Sequence, residues 1–214
     1  MRHASFSVCV FCSAGEPKVA GLASEVTAFA TELKVRNGRL IYGGGSSGLM
    51  GQFADACLRE GLSVWGGITE KLNAENEVGH RGIEKLVVVS DLFERKRWFF
   101  ANSDLFFVYP GGFGTLDEAL EVLTWQGLGE TQTDLVFVDL DGFWMKLREL
   151  FEDLKARGVL RLGWPEAVHF VESTEQAWAL ADQLLAKKRI IVGRDDSRRA
   201  AGPLGGKERP KCSI

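Results

Sequence analysis

Two glycine-rich turns, each set between a short apolar strand and a helix, restrict this chain more than any other feature of its sequence. The first, Gly43-Gly44-Gly45-Ser46-Ser47-Gly48, follows the buried run Arg39–Tyr42. The second, Pro110-Gly111-Gly112-Phe113-Gly114-Thr115, follows Leu105–Tyr109. A strand that passes straight into a helix through bare backbone is the βα junction of an α/β sheet. The pattern continues on both sides. Phe6–Cys12, Ser63–Ile68, Lys85–Val89 and Leu135–Val138 are the other short strand-like runs. Helical periods are expected over Val19–Val35, Leu49–Glu60, Asp91–Ala101, Leu116–Leu128, Gly142–Arg157 and Thr174–Lys188. This alternation predicts the α/β class: a three-layer, Rossmann-like domain with a mostly parallel sheet flanked by helices. Thr69–Gly82 is a polar excursion without a period.

The 214 residues are enough for one such domain, expected over 1–192. From Gly193 the chain turns to Gly, Pro, Ser and charges, with little to bury, so 193–214 is expected to be a disordered tail. A net charge of −3 supplies no field for gripping a polyanion, and nucleic-acid binding is not expected. No apolar run approaches the roughly 20 residues of a membrane span, and the N-terminus lacks a signal-peptide layout. A cytoplasmic protein without membrane contact is expected. Cys9 and Cys12 form a CxxC within the first strand, where a spacing of three sends the side chains to opposite faces. With no second CxxC and with His3, His80 and His169 scattered, neither metal nor redox chemistry is expected; the thiols read as small buried hydrophobes.

The chemistry must therefore lie in the turns. Gly43-x-Gly45-x-x-Gly48 fits the dinucleotide fingerprint, yet it follows the second strand rather than the first. Where that motif expects an acid at the end of the next strand, this chain has Gly66-Gly67-Ile68, with Glu70 the nearest carboxylate. That argues against an NAD site and leaves two readings, nucleotide contact through Gly45 or a tight packing turn. The second turn offers bare amides and the Thr115 hydroxyl to a phosphate at the carboxyl edge of the sheet. Its bland alternative is a capping box, Thr115-x-x-Glu118, in which Glu118 merely satisfies a helix-end amide.

Taken together, the motifs Cys12-Ser13, Tyr42-Gly43-Gly44-Gly45 with Gly48-Leu49-Met50-Gly51, Glu94-Arg95-Lys96, Pro110-Gly111-Gly112-Phe113-Gly114-Thr115 with Glu118 and Glu121, Leu123-Thr124-Trp125 and Asp141-Gly142-Phe143 resemble the LOG-type family. These are cytokinin-activating nucleoside 5′-monophosphate phosphoribohydrolases, formerly labelled lysine decarboxylases. The resemblance runs from about Ser7 to about Leu185 and departs from the family's pattern at Leu92-Phe93 and at the bulky Arg97-Trp98-Phe99-Phe100. It implies hydrolysis of the N-glycosidic bond of AMP or an N6-substituted AMP, with Arg95 and Glu118 as catalytic pair. Gly112, Gly114 and Thr115 would hold the phosphate, and Ser13, Gly45, Lys96, Phe113, Glu121 and Thr124 would complete the substrate site. It further implies no cofactor and a homodimer whose active sites lie beside the subunit interface. The alternative on the same fold is a carrier of the molybdenum cofactor, which shares a similar glycine loop but needs no hydrolytic carboxylate.

Glycoside cleavage passes through an oxocarbenium-like sugar, so a carboxylate is needed near the anomeric carbon. Glu118 and Glu121 lie three apart on one helix and face the same way. Glu118 is expected to orient water and offset sugar charge, and Glu121 to hydrogen-bond ribose hydroxyls. Arg95, a pure donor, is expected to bind phosphate or base, or to fix Glu118; Asp117 is expected to be only a favourable first-turn charge.

Overall fold

The computed structural model describes residues 4–75, 79–131, 133–160 and 168–199, without the side chains of 75 and 188–199. Seven parallel strands are described: β1 (Phe6–Phe11), β2 (Gly38–Tyr42), β3 (Val64–Thr69), β4 (Lys85–Val89), β5 (Leu105–Val108), β6 (Leu135–Val138) and β7 (Val168–Val171). Their order across the sheet is β4-β3-β2-β1-β5-β6-β7. The central strand β1 pairs on both sides, so that Val10 stands opposite Tyr42 of β2 and Phe107 of β5. The pairs described are all parallel, which sharpens the expectation of a mostly parallel sheet.

The helices are α1 (Leu22–Val35), α2 (Gly48–Arg59), α3 (Glu70–Glu75), α4 (Leu92–Asn102), α5 (Phe113–Leu128), α6 (Met145–Ala156) and α7 (Thr174–Arg199). Alternation along the strands decides which helices cover which face. Val8 and Val10 join α1, α2 and α7 in one core around Phe29, Phe53, Tyr109 and Trp178. Cys9 and Phe11 point the other way, into a second core with Phe99 of α4, Val122 and Leu123 of α5 and Trp144 just ahead of α6. Cys9 and Cys12 indeed fall in different cores, and no metal-holding cluster occurs among the described residues. The result is the three-layer Rossmann-like arrangement read from the sequence. No helix among the described residues is long and apolar enough to cross a membrane.

Three departures from expectation go beyond small shifts of an element's start. Helix α3 occupies part of the stretch read as aperiodic, its start fixed by the Thr69 hydroxyl accepting from Leu72 N at 3.2 Å. Strand β7 (VHFV) forms a short edge beside β6, and no strand was expected there. The last helix continues to Arg199, past Lys188 and into the stretch read as a tail; residues 200–214 lie outside those described.

The switch in strand order falls between β1 and β5, which run to either side of one crevice. Ligands of open α/β sheets bind at that point. The two loops leaving these strands are tied together, with Tyr109 N donating to Phe11 O (2.9 Å) and Ser13 N donating to Pro110 O (3.1 Å).

Candidate active site

Above that switch lies a cleft of about 300 Å³, at the small end of the usual range for ligand sites. The β1 loop supplies Cys12, Ser13 and Gly15, α2 supplies Met50, and α3 supplies Leu72. Opposite them stand Arg95 of α4 and Gly112, Gly114, Thr115 and Glu118 of the second glycine turn and α5.

The two glycine turns do different work. In the first, the helix-end amides are already used: Leu49 N donates to Gly15 O (3.0 Å) and Met50 N to Ser13 O (3.3 Å). Gly48 adopts φ +59°, and a Cβ there would stand 2.0 Å from Ala14 O. Gly45 bridges Gly79, and Gly44 O accepts from His80 N (3.0 Å). This turn is a packing device, and the structure does not bring Gly45 into the cleft wall.

The second turn is open. Helix α5 begins at Phe113 with Gly112 as its N-cap, and no side chain caps it. Thr115 is therefore the third helical residue, and Glu118 sits in the second turn, too far along to cap. The capping-box alternative fails on this geometry. The amides of Phe113, Gly114 and Thr115 have no partner within the helix, as for any first turn. A Cβ at Gly111 would lie 2.1 Å from the Thr115 hydroxyl, so the fold demands that glycine. At Gly112 and Gly114 a Cβ would meet nothing within 4 Å. Those two glycines leave room that the protein itself does not fill, beside unpaired amides at a positive helix end.

Arg95 is buried, and its guanidinium reaches three elements. Nε donates to Gly67 O (2.7 Å), Nη2 to Gly43 O (2.9 Å) and Nη1 to Glu118 Oε1 (3.3 Å). Gly43 must be bare for this, since a Cβ would come within 2.5 Å of Arg95 Nη2. The same logic explains Gly67, where a Cβ would strike the Trp98 and Phe99 rings at 2.8 and 3.0 Å. The residues standing in place of a dinucleotide acid are thus a bed that lets α4 press onto β3. Asp91 starts that helix by accepting from Glu94 N (2.9 Å).

Lys96, next in sequence, is also buried. Its ammonium binds Asp117 Oδ2 at 3.1 Å and pairs with Glu121. Burial works against that charge, but the bonds to Glu121 and Asp117 outweigh it and hold the lysine above its ordinary pKa. Cys12 shows the opposite situation, its thiol pushed well above the ordinary value by burial and by the nearby Glu118.

Of the expected site residues, Ser13, Arg95, Gly112, Gly114, Thr115 and Glu118 come together around one cleft. Phe113 lies next to it, 93% exposed. Lys96 and Glu121 bind each other rather than lining it. Thr124 is exposed and its hydroxyl donates to Leu120 O (2.7 Å). Met50 and Leu72 were missed as cleft walls. Met50 falls within the Gly48–Gly51 motif, whereas Leu72 carried no sequence signal in its aperiodic stretch. Nor does the bulky α4 sequence fill the cleft: Phe99 is core, and Phe100 stacks on Trp125 at 4.4 Å between centroids. Leu92 and Phe93 are exposed.

The family model described as "possible lysine decarboxylase" matches residues 50–181. A probable cytokinin riboside 5′-monophosphate phosphoribohydrolase, LOGL1 of Oryza sativa subsp. japonica, is 35% identical over 154 residues, covering 72% of this chain and 69% of that protein. The cytokinin riboside 5′-monophosphate phosphoribohydrolase LOG5 of Arabidopsis thaliana is 33% identical over 186 residues, covering 87% and 80%. The chain belongs to the LOG-type family. Among solved structures, the Moco carrier protein of Chlamydomonas reinhardtii matches with a TM-score of 0.64 at 18% identity, over 87% of this chain and 99% of that one. That likeness shows the shared fold. Lys96, the buried lysine among the described residues, is held off the cleft by Asp117 and Glu121.

Proposed function

We propose that this protein hydrolyses the N-glycosidic bond of a nucleoside 5′-monophosphate, AMP or an N6-substituted AMP such as a cytokinin riboside 5′-monophosphate, giving free base and ribose 5-phosphate. The observation that carries this reading is one cleft holding both an uncapped helix end beside Gly112 and Gly114 and the buried Arg95–Glu118 pair. The family's named members support the reaction class.

In this reading the phosphate sits on the Phe113, Gly114 and Thr115 amides, with the Thr115 hydroxyl as a further donor. Glu118 lies three to five residues further along α5 than these amides, ~4.5–7.5 Å at 1.5 Å per residue, which leaves a ribose ring between phosphate and carboxylate. As the glycosidic bond lengthens, positive charge grows on the anomeric carbon and ring oxygen, and the Glu118 carboxylate offsets it. The same carboxylate orients the attacking water and takes its proton as the C–O bond forms; the C–N bond breaks, the base takes a proton at a ring nitrogen from solvent water, and Glu118 returns its own proton to solvent. Arg95 is a donor only and acts by holding the Glu118 carboxylate in place. Met50 and Leu72 form the apolar wall against which the base packs. Ser13 Oγ accepts from Gly15 N (3.0 Å) and keeps its own proton for the ligand.

We also propose a homodimer, with the apolar side chains exposed on α4 and α5 as its contact. Incubation with a panel of nucleotides, reading released base by chromatography, tests the reaction; base release from none of them overturns it.

A further inference from the structure

Beside the Arg95–Glu118 pair runs a second bridge between the same two helices. Lys96 spans Asp117 and Glu121, which lie four apart on α5, one residue before and three after Glu118. Three carboxylates on one helix therefore face two cations on the other. The lysine side chain is 10% exposed and Glu121 20%, whereas Asp117 is 59% exposed. None of the three lines the cleft.

We propose that Lys96 is a positioning residue. Its clamped ammonium offsets part of the charge of the two carboxylates on either side of Glu118 in sequence and ties α5 to the helix that carries Arg95. The reasoning is Coulombic. Glu118 faces Arg95 from α4 and the neutral thiols of Cys9 and Cys12 from the β1 side, with Glu121 three residues on along the same helix face and Asp117 adjacent in sequence. Without the Lys96 charge, Asp117 and Glu121 would lose their cation on α4, and Arg95 would be the one positive group left against the three carboxylates among these contacts. Repulsion among like charges in a partly buried site favours protonating one of them. Glu118 would then hold its proton to higher pH and lose the negative charge that the reaction needs. Such a lysine shapes the site without touching substrate, which departs from the substrate contact that the family resemblance implied for it.

The turnover part of this inference rests on the proposed hydrolase reading; the electrostatic part does not. The test uses full-length wild type, Lys96→Gln and Lys96→Arg with ¹³C-labelled glutamate carboxylates, the Glu118 resonance being assigned by its loss in Glu118→Gln. The Glu118 titration midpoint should rise in Lys96→Gln by on the order of half to one pH unit and return close to wild type in Lys96→Arg. The acid limb of kcat against pH should move in the same direction, with KM nearly unchanged. A Lys96→Gln protein that melts earlier but keeps the wild-type Glu118 midpoint would overturn the proposal and leave Lys96 a helix staple. Should Lys96→Gln fail to fold, Asp117→Asn at the exposed end of the clamp decides. Removing one negative neighbour should lower the Glu118 midpoint, and an unmoved midpoint would overturn the coupling. If wild type releases base from no nucleotide, the hydrolase reading falls while the titration still judges Lys96.

Discussion

Arg95 Nη1 and Glu118 Oε1 stand 3.3 Å apart, a partly buried ion pair that joins α4 to α5. That is longer than the ~2.7–2.9 Å of a tight charge-assisted bond, while the other two guanidinium bonds are short, at 2.7 and 2.9 Å. Arg95 is anchored to backbone through two of its nitrogens and reaches Glu118, which lines the cleft, with the third. Since Glu118 caps no helix, Glu118→Gln should retain nucleotide binding and lower turnover by about 100-fold or more. Turnover and melting temperature measured side by side check this. A variant that melts early yet turns over at the wild-type rate would take Glu118 out of the chemistry and leave it a structural residue.

The glycines should separate by role. Gly114→Ala adds a methyl where the protein has nothing within 4 Å, in a helical first turn that tolerates alanine. It should melt no lower than wild type and raise the KM for nucleotide by about ten-fold or more, because the methyl intrudes on the phosphate. Gly48→Ala should do the reverse. Its φ of +59° and the 2.0 Å approach to Ala14 O predict a loss of about 2 kcal/mol or more in a denaturant melt.

Alkali should destabilise this fold. Burial raises Cys9, Cys12, Cys57, Tyr42 and Tyr109 above their ordinary values, so the folded chain keeps protons that the unfolded chain releases. With fewer protons bound in the unfolded state, stability falls as pH rises through the ordinary thiol and phenol range. Melting temperature should be level between about pH 7 and 8 and decline from about pH 9 upward. A rising melting temperature over that upper range would contradict the sign.

The apolar surface left on α4 and α5 should be covered by a second copy. Leu120 is 40% and Leu128 55% exposed, and Phe93 and Phe113 more so. Light scattering at micromolar concentration should give twice the chain mass, and the double variant Leu120→Asp, Leu128→Asp should shift it toward the monomer. A wild-type monomer would end this expectation.

Much of the fold was legible because strand and helix periods differ and glycine marks the junctions. β4 and β6 fall where the sequence puts them, and most other strand boundaries differ by one residue. The failures have physical causes. Helix α5 begins three residues before the expected Leu116, because first-turn amides make no helical bonds and so tolerate Phe113-Gly114. β7 is a four-residue, half-buried edge with a histidine in it, too short to impose a period. The expected helix from Gly142 begins at Met145, after a turn in which Asp141 takes φ +54°. In the site, the residue types of Arg95, Glu118 and the Gly112–Thr115 turn announced their chemistry. What one sequence could not show was distance: that Gly45 is spent on packing against Gly79, and that Lys96 and Glu121 bind each other.

The central claim is that a phosphate on the α5 end and a carboxylate at Glu118 act on the two ends of one sugar. The most direct measurement is base release from AMP against adenosine under identical conditions, with ribose 5-phosphate assayed as co-product. AMP should be cleaved at least about 100-fold faster in kcat/KM, since the glycine turn lends binding energy only through phosphate, with base and ribose 5-phosphate appearing in equal amounts. Comparable rates for AMP and adenosine, or base released without ribose 5-phosphate, would contradict the account.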